Sequence, residues 1–196
     1  MKKESLRIKI ILGSTRPNRF SEYPGRWVTG LIEKREDVDV ELLDLRDYQM
    51  PFFSEPVSPS SKKEPYKNEA VVRWTKKIGE ADGFIIIAPE YNRGTSGILK
   101  NAFDYVFDEW ANKPISFVSY GTAGGARAIE HLNQVAMELQ MIPVRNAVRI
   151  LAQWDLRGEG GIVKEGAFEQ YERAANTMIE RLLWLARTLK EAHKHK

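Results

Sequence analysis

"IIIAPEYNRGTSGILKNAFDYV", residues 85–106, holds in miniature the architecture of the whole chain. Three isoleucines and Ala88 run without polar interruption into Pro89, which reads as a buried strand reaching its end. Pro89 imposes an extended approach and removes a donor, while Gly94 and Gly97 admit unusual backbone angles or the close approach of something flat. Leu99, Ala102, Phe103, Val106 and Trp110 then recur three or four residues apart, the period of a helix. Between strand and helix lie Glu90, Tyr91, Asn92 and Thr95, more hydrogen-bonding groups than a packed turn requires.

The same unit recurs in both directions. Strand-like runs lie at Leu6 to Leu12, Val38 to Leu45, Gly83 to Ala88, Ile115 to Ser119 and Ala147 to Leu151, and helical periodicity follows each of them. The helical marks are Trp27 to Ile32, Val71 to Gly79, Leu99 to Trp110, Ile129 to Leu139 and Phe168 to Leu189. Parallel neighbours need a crossover of a dozen or more residues, so this alternation predicts an α/β fold, a five-stranded parallel sheet with helices on both faces. Two irregular stretches, Arg46 to Pro65 with four prolines after position 50 and Trp154 to Gly166 with four glycines, read as covers or contact surfaces of one domain spanning 1–196.

Composition narrows the function. The chain has 196 residues, enough for a full core, and no cysteine, which excludes disulfides, thiolate metal sites and a cysteine nucleophile. No apolar run approaches the roughly 20 residues of a membrane span, and the opening "MKKESLRIKI" passes directly into a strand, so a cytoplasmic protein is expected. With 30 basic against 27 acidic residues, neither nucleic acid nor membrane is an expected partner. His131 sits within helical periodicity and His193 and His195 in the tail, which leaves no histidine cluster or triad and no metal site.

In an open doubly wound sheet, ligands bind beyond the carboxyl ends of the strands, where the strand order reverses. "GSTRPNRFS", residues 13–21, follows the first strand and offers Gly13 for a tight turn, the hydroxyls of Ser14, Thr15 and Ser21, and the guanidinium groups of Arg16 and Arg19. Beside a helix N-terminus these groups make a phosphate cradle, although Ser14 and Ser21 acting as plain caps would explain the serines equally well. "SYGTAGGAR", residues 119–127, follows the fourth strand and leaves backbone amides bare at Gly121, Gly124 and Gly125. In the order 2-1-3-4-5 the first, third and fourth strands are adjacent, so all three loops meet, and together they describe a site for a phosphorylated flat ring.

These motifs resemble those of the NADPH-dependent FMN reductase family, flavodoxin-like quinone and azo-dye reductases included. The resemblance rests on "GSTR", "LLDLRDYQMPFF", "PEYN" followed by "LKNAFDY", and "SYGTAGGARA", with "PEYN…G.LKNA.D" the specific part. It implies a flavodoxin-like doubly wound sheet and noncovalent FMN. The phosphate would be held by Ser14, Arg16, Arg19 and Ser21, the ring edge by Pro89, Glu90, Tyr91 and Asn92, and further contacts would come from Ser119, Gly121 and Gly124. "RGTSG", from Arg93, departs from the family's usual serine, aliphatic residue and proline.

If FMN is bound it carries the chemistry, so no side chain need be catalytic. NADPH or NADH would deliver hydride to it, and two electrons would pass to a flavin, quinone, azo compound or metal oxyanion, with Arg93 and Arg127 candidates for the extra phosphate of the donor. A carrier or FMN-binding module without turnover is a second reading, and a nucleotide-binding regulatory domain a third. The aromatic residues of "LKNAFDYVFDEW" exceed what one helix face can bury, which predicts a homodimer or homotetramer.

Overall fold

The computed structural model describes residues 5–193; His195, assigned to the tail, lies outside them. Six parallel strands are present: β1 (Leu6–Leu12), β2 (Val38–Asp44), β3 (Gly83–Pro89), β4 (Pro114–Gly121), β5 (Ile142–Pro143) and β6 (Val148–Leu151). They alternate with α1 (Glu22–Glu33), α2 (Glu69–Gly79), α3 (Gly97–Asp104), α4 (Ala126–Glu138) and α5 (Glu172–His193). The sheet order is β2-β1-β3-β4-β5, as the sequence predicts, with β6 also pairing β4.

One expected strand is thus two. Pro114 faces Ile142 and Val118 faces Val148, so four steps along β4 span six along its neighbour. The surplus forms a bulge between β5 and β6, where Val144 N still donates to Ile115 O (2.8 Å) and Ser116 Oγ donates to Asn146 O (2.7 Å).

Side chains of β3 alternate between two cores. Phe84, Ile86 and Ala88 pack with Trp74 and Ile78 of α2, Phe103 of α3 and Leu132 of α4; Ile85 and Ile87 pack with Val28 and Ile32 of α1 and Met178 and Leu182 of α5. Burial on both faces is why β3 reads as an unbroken apolar run.

Two local expectations need correction. Pro24 and Gly25 suggest a late start for the first helix, yet α1 begins at Glu22, because Pro24 lies in the first turn, where its missing N–H has no intrahelical acceptor to serve. Gly25 is required by packing: a Cβ there would lie 2.5 Å from Leu12 Cδ2. Helical periodicity to Trp110 also overruns, since α3 stops at Asp104 and the chain continues in turns closed by Val106 N to Phe103 O and Trp110 N to Phe107 O. Leaving the helix lets side chains of different azimuth all turn inward. Trp110 is fully buried, 4.6 Å from the Phe84 ring and 5.0 Å from that of Phe103, and Phe103, Tyr105 and Val106 are buried too. These aromatics therefore give no argument for a second subunit.

"LKNAFDY" serves the scaffold. Asn101 Nδ2 donates to Pro51 O (2.8 Å), Asn101 Oδ1 accepts from Phe53 N (2.8 Å), and Tyr105 Oη donates to Pro51 O (3.1 Å). The proline-rich segment is pinned across about 50 residues of sequence by this pair.

Candidate functional site

The loops after β1, β3 and β4 meet at the carboxyl edge of the sheet. Gly13 N donates to Ile87 O (2.9 Å), and a Cβ at Gly13 would lie 2.8 Å from Leu99 Cδ2 and 2.9 Å from Ile87 O, so only glycine passes there. Ser96 Oγ donates to Gly13 O (2.5 Å) and caps α3 by accepting from Leu99 N, tying the first loop to the second. Ser14 Oγ and the Tyr91 hydroxyl share a hydrogen bond of 2.9 Å, and Glu90 N donates to Tyr120 O (3.0 Å).

The "PEYNRG" turn is a two-residue hairpin. Tyr91 and Gly94 exchange both backbone bonds, at 2.9 and 3.0 Å, and the residues between them have positive φ, 50° at Asn92 and 73° at Arg93. That is the type I′ geometry. Of the two uses that glycine at 94 and 97 allows, unusual backbone angles are not taken up there; the left-handed residues of the turn are Asn92 and Arg93. The hairpin projects Tyr91 toward the first loop, where Arg16 lies 5.8 Å from its ring.

Glu90 anchors the third loop: its carboxylate accepts from Arg127 N (3.1 Å) and from the Arg127 guanidinium (2.7 Å), at the positive end of α4. Gly124 and Gly125 hold φ of 62° and 71°, and a Cβ at Gly125 would stand 1.8 Å from Ser119 Oγ. Ser119 Oγ is committed beneath the loop, donating to Ala88 O (2.7 Å).

Arg19 borders the same site, but its guanidinium is taken up by protein partners. It is buried, and its guanidinium donates to Ser14 O (2.6 Å), to both carboxylate oxygens of Asp44 and to Glu22 (2.7 Å). All four terminal N–H groups are thereby engaged. Burial alone would raise the Asp44 pKa, but hydrogen bonds from Arg19 and Arg46 outweigh it and hold the carboxyl well below its usual range; Glu22 is lowered in turn, chiefly by its Arg19 bond. Arg19 and Arg46 against Asp44 and Glu22 form a neutral cluster that fixes the shape of the first loop.

A hollow of about 250 Å³ opens between the loops. Of the residues singled out in the sequence, Ser14, Arg16, Arg19, Glu90, Tyr91 and Gly121 line it. Ser21 lies fully buried, Pro89 ends β3, Asn92 is exposed at the hairpin tip, and Ser119 and Gly124 lie under or behind the third loop. Tyr120, Gln153 and Arg157 also line it without having been anticipated. Burial first, then Tyr91 nearby, pushes the Tyr120 hydroxyl above its usual pKa, so it stays protonated. A larger hollow, about 720 Å³, lies along β6 among Arg145, Arg149 and Arg173, with solvated arginines for walls and no residue of the phosphate loop.

The pocket fits a phosphorylated ligand on this structure's own terms. Of the residues lining it, Gln153 has a buried amide oxygen without a hydrogen-bond partner, and Arg16 and Arg157 have no ion-pair partner among the described residues. The unpaired guanidinium groups call for an anion, and the amide oxygen for a ligand with a polar donor.

Comparison with known proteins agrees. The sequence profile described as NADPH-dependent FMN reductase matches residues 6–155. An NAD(P)H-dependent FMN reductase of a Nectria species is 34% identical over 157 residues, covering 76% of this chain and 78% of that protein. An NAD(P)H-dependent FMN reductase of Schizosaccharomyces pombe is 37% identical over 135 residues, 69% of this chain and 68% of the relative. Among solved structures, a flavoenzyme NAD(P)H:(acceptor) oxidoreductase from Paracoccus denitrificans superposes with a TM-score of 0.71 at 19% identity, covering 93% of this chain and 98% of the other, a likeness of fold. With the profile covering three loops and the sheet that carries them, the chain belongs to the NADPH-dependent FMN reductase family.

Proposed function

We propose that the protein is an FMN-dependent NAD(P)H oxidoreductase, a single-domain enzyme that passes two electrons from NADPH or NADH to a small acceptor such as a flavin, quinone, azo compound or metal oxyanion. The observation that carries this reading is the convergence of the loops after β1, β3 and β4 on one hollow bearing unpaired guanidinium groups, in a chain of this family. When bound, FMN supplies the two-electron chemistry between donor and acceptor.

The residues do the rest. Ser14 and Arg16 meet the phosphate, with the buried Ser21 behind them, while Arg19 positions the loop through Ser14 O. An enclosed volume near 250 Å³ suits the phosphate and sugar-alcohol tail and leaves the planar ring to the rim, where Pro89, Glu90, Tyr91 and Asn92 present one edge and Ser119, Gly121 and Gly124 shape the other. Glu90 orients this rim through Arg127, and that pairing leaves Arg93 the freer candidate for the donor's extra phosphate. Purified protein reconstituted with FMN should be yellow and should bleach on adding NADPH or NADH under anaerobic conditions. Colour without bleaching favours a carrier, and absence of flavin binding overturns the reading.

A homodimer or homotetramer remains our reading of the assembly, now supported by a different surface. Phe52, Leu151, Trp154 and Ile162 are each more than half exposed, and three of them lie on or beside the 152–166 loop that borders the site. Elution at monomer mass in size-exclusion chromatography would exclude it. Among the described residues no helix is long and apolar enough to cross a membrane, and a chain without cysteine suits the cytoplasm, which cell fractionation tests.

A further inference from the structure

We propose that Arg157, on the loop after β6 and outside the family-matched residues, is the second phosphate-binding guanidinium of the site, in the role that Arg19 does not take. This deepens the flavin reading and rests on it.

Charge balance around the hollow leads to this assignment. Arg19 and Arg46 are neutralised by Asp44 and Glu22, and Arg127 by Glu90. The cations left lining the pocket are Arg16, on the first loop, and Arg157, on the loop after β6; neither has an acidic partner among the described residues. Two uncompensated charges match a phosphate monoester, which carries nearly two negative charges at pH 7.

Arg157 is also held ready. Residues 157–163 form a small hairpin in which Arg157 bridges Val163, Gly158 N donates to Ile162 O (2.7 Å), and Gly160 and Gly161 turn the chain at φ of 67° and 75°. The guanidinium lies 5.6 Å from the Phe20 ring and 5.9 Å from that of Tyr23, and donates to Gly161 O (2.5 Å) and, across to the phosphate loop, Asn18 O (3.3 Å). Two aromatic faces and two carbonyls fix its plane, while its charge is left for an anion. Arginine held in this way grips phosphate oxygens as a fork. The loop after β6 is thereby a strap over the cofactor's phosphate.

The test is a titration of wild type and Arg157→Ala with FMN and with riboflavin, which lacks the phosphate, followed by flavin fluorescence. Removing a hydrogen-bonded charge should weaken FMN binding about 10- to 100-fold while leaving riboflavin affinity unchanged, with Arg157→Lys intermediate. Equal losses for both ligands would make Arg157 a packing residue and overturn the proposal, as would no loss for either. Should wild type bind neither flavin, the flavin reading fails by itself, and inorganic phosphate decides on Arg157. Stabilisation by phosphate in a thermal melt that vanishes in Arg157→Ala sustains the anion site, and equal stabilisation of both proteins overturns it.

Discussion

Asp44→Ala should destabilise the fold by about 3 kcal/mol, read as a lowered urea midpoint. The side chain neutralises Arg19, which is buried, through both carboxylate oxygens, and it also accepts from Arg46 N, capping the short turn after β2. Removing one partner of a buried pair leaves the other charge uncompensated, the costly direction of that asymmetry; Glu22, still bound to Arg19, moderates the loss. The variant should also lose part of the pH dependence. Asp44 and Glu22 both have lowered pKa values in the folded state, so the unfolded chain binds more protons as the pH falls. Their stabilisation is complete above the unfolded carboxylate range, about pH 4, and disappears as pH drops through the folded values. Wild type should therefore weaken below about pH 4, and Asp44→Ala should weaken less steeply. Equal slopes would show that the cluster does not couple to folding.

Gly125→Ala is expected to cost about 3 kcal/mol, from a left-handed backbone that alanine resists and from a clash with β4. The new Cβ would meet Ser119 Oγ at 1.8 Å, Ser119 Cβ at 2.5 Å and Tyr120 N at 2.8 Å, so the loop must lift from the strand. Lifting it shifts the first turn of α4, and with it the bond from Arg127 N to Glu90 that holds the rim. Ser119→Gly removes two of the three clashing atoms, so the double variant should be less destabilised than the sum of the singles. Strict additivity in urea unfolding would mean that the contact is not the cause.

Much of this arrangement was legible before any coordinates. An unbroken apolar run at residues 84–88 and a largely apolar one at 115–118 marked strands buried on both faces, and the glycines and prolines after positions 12, 88 and 120 marked where the chain turns at the sheet's edge. What escaped was anything set by distant partners. Nothing near Arg19 in sequence shows that Asp44, 25 residues on, occupies it, and nothing near Arg157 shows that the first loop lies beneath it. The aromatics between Phe103 and Trp110 misled for the same reason: helical spacing was read forward past Asp104, where the chain had already left the helix to fill its own core.

By itself the sequence determined the layered parallel sheet, the order of its elements and the three turns from which a site could be built, because periodicity and backbone permissiveness are local properties that neighbouring residues carry. Tertiary structure alone decided which charges are silenced and which stay available. An ion pair is selected by proximity in space and by the desolvation that burial imposes, and neither quantity is written in the spacing of residues along the chain.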